Sequence, residues 1–365
     1  MSTPVTDRPV ITGWSAVSPF GLGAEAFAEG LREQRSTVAP VDTARWKVPT
    51  SRAHLVPGFE TREVLGKKGT RSMDRVTGLA VAAVGSLLDQ PGSVKESETG
   101  ERAALVLATT TGSAASMMDF TRSSLVGDRP YDVDPAVMPN AVMNCAAGQC
   151  AIWYGIKGPN TTLAGGRAAG LLALNYATRL LASGRADAVL CAAAEEYSAA
   201  RYWLERHSRG PEAPNVALGE GAAVLLVQPA STVTPDRPAL AEVLAVRTRV
   251  AIGHQVRPAL EACVRSALEA AGVAASEVWA ASPSDAPGLL GHVEREVLGE
   301  ICGDAAVRRI PAVGRLGDVS AASGSFQIAT VLAAAPRTGG SIALVTSADR
   351  DGSLACAVLK LRDAR

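Results

Sequence analysis

Four short runs without a charged residue constrain the fold more than any other feature of the chain: residues 104–108 (ALVLA), 188–192 (AVLCA), 222–227 (AAVLLV) and 341–346 (SIALVT). Each is largely apolar on both faces. A strand that turns neither face to water belongs to a sheet covered by helices on both sides. Alanine-rich stretches such as 170–182 alternate with these runs and supply such helices. An α/β fold is the expectation. The proline-bearing stretch 229–238 (PASTVTPDRP) punctuates the chain. It divides a first half, residues 1–233, from a second, residues 234–365, although no internal repeat is visible in the sequence.

With 365 residues, 47% of them hydrophobic, the chain is long enough for a large α/β unit with two similar halves. A formal net charge of zero and the lack of a basic run argue against nucleic acid or an anionic membrane surface as partner. No apolar stretch approaches the roughly 20 residues of a membrane helix. Residues 1–8 (MSTPVTDR) carry no apolar signal core, so a cytoplasmic location is expected. Cys145, Cys150, Cys191, Cys263, Cys302 and Cys356 lie in apolar surroundings with no C-x-x-C spacing and no histidine nearby. They read as reduced core thiols, and no metal site is expected.

Six segments then repeat one pattern in one order: 10–23 (VITGWSAVSPFGLG), 71–75 (RSMDR), 138–148 (MPNAVMNCAAG), 157–170 (KGPNTTLAGGRAAG), 184–195 (GRADAVLCAAAE) and 218–223 (LGEGAA). Singly each is weak; in this order and spacing they resemble the β-ketoacyl synthase family over nearly the whole chain. That resemblance implies a thiolase-like five-layer αβαβα fold with two related halves and no cofactor. Segment 157–170 is similar to the family's nucleophile elbow, where a strand leaves a K-G-P-N turn, a cysteine sits at a sharp bend and a small-residue helix follows. Here the cysteine position is Arg167. A condensing enzyme needs a thiolate, which a helix N-terminus stabilises through unpaired N–H groups and the helix dipole. A guanidinium is no nucleophile, and its charge is disfavoured at that end of a helix.

The remaining family positions depart from the pattern as well. The loop that carries the first histidine in the family, H-G-T-G-T, corresponds to 281–288 (ASPSDAPG), with Pro283 in the segment and no histidine. The K-x-x-x-G-H-x-x-G-A-A-G segment corresponds to 313–324 (VGRLGDVSAASG), which puts Val313 at the lysine and Asp318 at the second histidine. The family's glycine-rich gating loop corresponds to 348–353 (ADRDGS). In the family the two histidines stabilise negative charge as malonyl thioester loses carbon dioxide. Asp318 has the wrong charge for that step and the right one for Arg167. A buried Arg167–Asp318 ion pair filling a degenerate site is the expectation.

Other candidates favour structural roles. His292 begins a helix among charged neighbours and reads as a solvated surface group. Glu195 and Glu196 resemble a carboxylate pair, yet the family uses a glutamate at this strand end structurally. Ser320 and Ser323 flank Asp318 with no histidine or lysine in sequence to activate a hydroxyl.

A family subunit that keeps the fold and lacks the cysteine resembles the chain length factor (ketosynthase-β) of type II polyketide synthases. The resemblance implies a heterodimer with an active ketosynthase, a carrier protein bearing the growing chain, and a tunnel at the shared interface whose side chains limit chain length. Met117, Met118, Phe120, Met138, Met143 and Asn144 are the candidate tunnel and interface residues. Two alternatives stay open: a divergent acyl-transfer or condensing enzyme with another nucleophile, and a homodimeric scaffold for carrier-protein docking.

Overall fold

The protein is described by a computed structural model covering residues 7–93, 95–209, 216–253, 255–336 and 339–362, so most of the amino-terminal stretch and His254 lie outside the described residues. All four apolar runs are strands. With the main partners they give β1 (Pro9–Ser18), β2 (Ala103–Thr109), β3 (Asn160–Ala164), β4 (Ala188–Glu195), β5 (Gly221–Pro229), β6 (Ala241–Val250), β7 (Val278–Ser282), β8 (Ile342–Ala348) and β9 (Ser353–Leu361). The longer helices are α1 (Gly23–Arg32), α2 (Arg75–Leu88), α3 (Ala114–Val126), α4 (Cys145–Tyr154), α5 (Ala169–Ala182), α6 (Ala199–Ser208), α7 (Val256–Ala271), α8 (Leu289–Cys302) and α9 (Ser323–Ala333).

The strands follow one path, β7-β8-β9-β6-β1-β5-β4-β2-β3. Only two residue pairs, Val10 with Glu242 and Ile11 with Ala241, join β1 to β6. On one side of that seam β1, β5 and β4 are antiparallel in succession, and β4–β2 and β2–β3 are parallel. On the other side β6, β9 and β8 are antiparallel in succession and β8–β7 is parallel. The second arrangement repeats the first without its last strand. Residues 283–322 have no strand that could play the part of β3. The repetition lies in the pairing, which is why no sequence repeat betrays it.

Alternating side chains build the layers. In β4, Val189, Cys191 and Ala193 face a central core shared with α5, α9 and strands from both sides of the seam, while Ala188, Leu190 and Ala192 face an outer core with α2 and α4. In β8, Ala343 and Val345 join the central core, and Ile342 and Leu344 face α7 and α8. Strands buried on both faces need apolar residues at every position, hence the unbroken runs. The result is five layers, α2/α4, sheet, α5/α9, sheet, α7/α8. The starts of α5 and α9 meet, and a Cβ at Gly170 would lie 3.0 Å from Ser325 N. This close approach aims the two helix N-termini and their preceding turns at one point.

Candidate functional site

The chain leaves β3, turns through Gly165 and Gly166, and makes a single 3₁₀ turn, Gly166–Ala168, before α5. Gly166 has φ +52°, a left-handed conformation that glycine adopts without strain. Arg167 sits in this turn and is buried. A second 3₁₀ turn, Ser320–Ala322, precedes α9 and places Asp318 opposite it. Arg167 Nη2 lies 2.5 Å from Asp318 Oδ1, so the ion pair expected from the sequence is present. Arg167 Nη1 also donates to Ser323 Oγ at 3.1 Å and to the Ser284 carbonyl at 3.4 Å.

Asp318 is the hub of a larger network. Its second oxygen pairs with Arg209 at the end of α6, its carbonyl accepts from Arg201 Nη2 at 2.8 Å, and its Oδ1 accepts the Ser320 N–H at 3.0 Å. Burial works against its charge, but Arg167, Arg209 and Arg201 outweigh burial and hold the carboxyl well below the usual carboxylate range. Burial likewise opposes the charge of Arg167, and Asp318, with Asp349 and Glu294 behind it, raises the guanidinium pKa instead. Arg209 continues to Glu205 at 3.1 Å, and Glu205 to Arg350 at 3.7 Å. An alternating ladder of charge thus runs from the buried elbow to the surface.

A cavity of about 340 Å³ opens beside this ladder, lined among others by Thr110, Arg167, Arg209, Asp318, Ser320 and Asp349. Among the described residues no cysteine or histidine lines it. Pro283 and Val313, the other positions expected to be degenerate, are buried and do not line the cavity. Ser320 has φ +39°, strained for a residue with a Cβ; its hydroxyl accepts from Thr110 Oγ1 at 2.9 Å.

The rival candidates go elsewhere. His292 is exposed and 3.1 Å from Glu296. Glu195 accepts the Thr110 N–H at 2.6 Å and lies 3.6 Å from Arg201 Nε. Glu196 accepts the Ala115 N–H and Ser113 Oγ, both at 3.0 Å, at the start of α3. Ser323 is committed to Arg167. All six cysteines are free; Cys145 and Cys302, the first residue of α4 and the last of α8, are half-buried rather than core.

The six tunnel candidates cluster away from the cavity. Met117 and Phe120 are half-buried on α3; Met118, Met138, Met143 and Asn144 are exposed. A Cβ at Gly112 (φ +71°) would lie 2.8 Å from Met143 Cα, which brings the α3 and α4 entry segments together. Leu125, Tyr131, Val142 and Ile152, in the same part of the sequence, are exposed as well, with Ile152 78% exposed. Arg201, Arg209, Glu205 and Asp349 were not singled out as partners of the elbow from sequence. Only Asp349, in the segment matching the gating loop, carried a signal.

Residues 7–232 match the family model of the β-ketoacyl synthase N-terminal domain. The chain is a member of the β-ketoacyl synthase family. Among relatives of this family, 3-oxoacyl-[acyl-carrier-protein] synthase 2 of Vibrio harveyi is 27% identical over 239 residues, 60% of this chain and 57% of the relative. The enzyme of the same name from Vibrio cholerae matches over 46% of its own length at 28% identity. The chain therefore aligns with about half the length of these two curated ketosynthases. Among solved structures, a chain of the ishigamide ketosynthase/chain length factor is 47% identical with a TM-score of 0.93, covering 97% of this chain and 99% of that one. The ketosynthase fold also aligns with AntDE:AntF, a type II PKS acyl-carrier protein in complex with its ketosynthase bound to the hexaketide, at a TM-score of 0.76, 17% identity and 98% coverage. At that identity the likeness is one of fold.

Proposed function

We propose that this chain is a non-catalytic chain length factor, which pairs with an active ketosynthase in type II polyketide biosynthesis and shapes the tunnel that limits acyl chain length. The observation that carries this reading is Arg167, a buried guanidinium at the elbow, paired with the aspartate that stands at the family's second histidine position. Among the described residues no thiol lines the cavity. Burial pushes Cys150 and Cys191 up to about 12 and Cys263 and Cys302 up to about 11, and raises Cys145 and Cys356, so no thiol is activated. The likeness to the ishigamide ketosynthase/chain length factor supports the assignment to a paired subunit. The exposed apolar surface around α3 and α4 supports it too, because patches of this kind mark protein contacts. An acyl carrier protein bearing the growing chain is the second partner in this reading.

The test is co-expression with the ketosynthase encoded nearest to this chain, followed by purification on a tag carried by this chain alone. A one-to-one complex that extends malonyl units on a carrier protein is expected, with no acyl uptake by this chain alone. A homodimer that ignores the ketosynthase would support the scaffold instead. Acyl uptake without a partner would support an enzyme with another nucleophile.

A further inference from the structure

The elbow's backbone N–H is not free. Arg167 N donates to Asp349 Oδ2 at 2.5 Å, and the other carboxylate oxygen accepts the Asp351 N–H at 3.3 Å. Asp349 lies in the β8–β9 turn, tied by Asp349 N to the Ser353 carbonyl at 2.9 Å and by Gly352 N to the Asp349 carbonyl at 3.1 Å. From the end of β8, Ser347 Oγ donates to the Arg167 carbonyl at 2.9 Å. A Cβ at Gly166 would collide with the Asp349 carboxylate, so the elbow glycine also makes room for this contact. The carboxylate therefore occupies the N-terminal side of the turn that leads into α5, where backbone N–H groups and the helix dipole favour an anion.

In acyl transfer, the N–H at a nucleophile's own position serves the oxygen that becomes negative as the carbonyl is attacked. We propose that Asp349 is an internal plug of this donor, a second lock on the site that is independent of the missing thiol. A thioester carbonyl presented to position 167 finds the donor occupied by an oxygen that already carries charge. Restoring a cysteine at 167 is then insufficient to restore acylation. The proposal rests on the functional reading above only in taking position 167 as the seat of a lost nucleophile; the wild-type chain's partner and acyl uptake do not enter its test.

The experiment compares R167C with R167C/D349A. Each is treated with iodoacetamide, whose reaction builds no oxyanion, and with the hexanoyl thioester of N-acetylcysteamine, whose reaction does. Hexanoyl transfer forms the cysteine–acyl bond and releases N-acetylcysteamine thiol, so no oxidant or other reactant is needed. The ratio of the two rate constants cancels the fraction of thiolate. Freeing one oxyanion donor is expected to raise that ratio in the double variant by about 10²–10³-fold. A ratio unchanged within about threefold would overturn the plug. Should R167C fail to fold, D349A in the natural background decides the matter. Its melting temperature falls, and formate, a carboxylate small enough for the vacated position, restores it relative to chloride at equal ionic strength. A melting temperature that formate does not move would equally overturn the proposal.

Discussion

A guanidinium at the start of a helix faces the positive end of the dipole and, when buried, also loses its hydration. Arg167 is tolerated because Asp318 neutralises it at 2.5 Å and Arg209 and Arg201 hold Asp318 in place. Removing one partner of such a pair leaves the other buried and uncompensated, which costs about 3–5 kcal/mol. Asp318→Ala is expected to lose stability of that order in urea unfolding, and an unchanged midpoint would mean that the pair contributes nothing. The sign with pH follows from the depressed carboxyl. Its stabilisation is complete above the unfolded value of about 4 and is lost progressively as pH falls from there to the much lower folded value, while the carboxylate itself stays charged in mild acid. Arg167 and Asp318 were readable from the sequence as replacements in known motifs, and their opposite charges suggested the contact. Arg209 was not, because 109 residues separate it from Asp318 and only the packing of α6 over the site joins them.

The entry of α3 is set by a strand end rather than by its own sequence alone. Ser113 caps the helix, and Glu196, just past β4, takes the Ala115 N–H and the Ser113 hydroxyl. Burial, with Asp74 nearby, pushes the Glu196 carboxyl up to about 7 despite these bonds. Its protonated form is thus favoured by folding. The unfolded chain releases this proton near pH 4.5 and the folded chain retains it to about 7, so this group lowers stability as pH rises through that window and has no further effect above it. The loss is on the order of 3 kcal/mol. Glu196→Gln is expected to flatten that component of the stability–pH curve, and a curve with the wild-type slope would reassign it to another carboxyl. The sequence marked Glu195 and Glu196 as structural; it had no means of showing that one ties the elbow strand's neighbour Thr110 and the other the helix that follows.

The whole molecule presents two separate regions, the charge-filled elbow cavity and the apolar surface of α3 and the α4 entry. In the proposed complex only the second is available to shape the partner's tunnel. If Met117, Met118 and Phe120 form its floor, each alanine substitution opens space for further two-carbon units, since a dense interior resists overpacking by about 1–3 kcal/mol. Longer products from the reconstituted ketosynthase complex are expected for these variants, and an unchanged product distribution for all three would remove α3 from the tunnel. At this scale the chain's runs of apolar residues determined that the sheets would be buried on both faces, because an extended segment without polar positions has no face to give to water. Its motifs likewise carried the family, since those are local strings. The joining of both sheets at a two-pair seam, the missing counterpart of β3, the reach of Arg209 into the site and the capture of the elbow N–H by Asp349 were decided by the tertiary structure. Each depends on residues brought together from distant parts of the chain, and hydrogen bonds and ion pairs of that kind have no period or spacing to read.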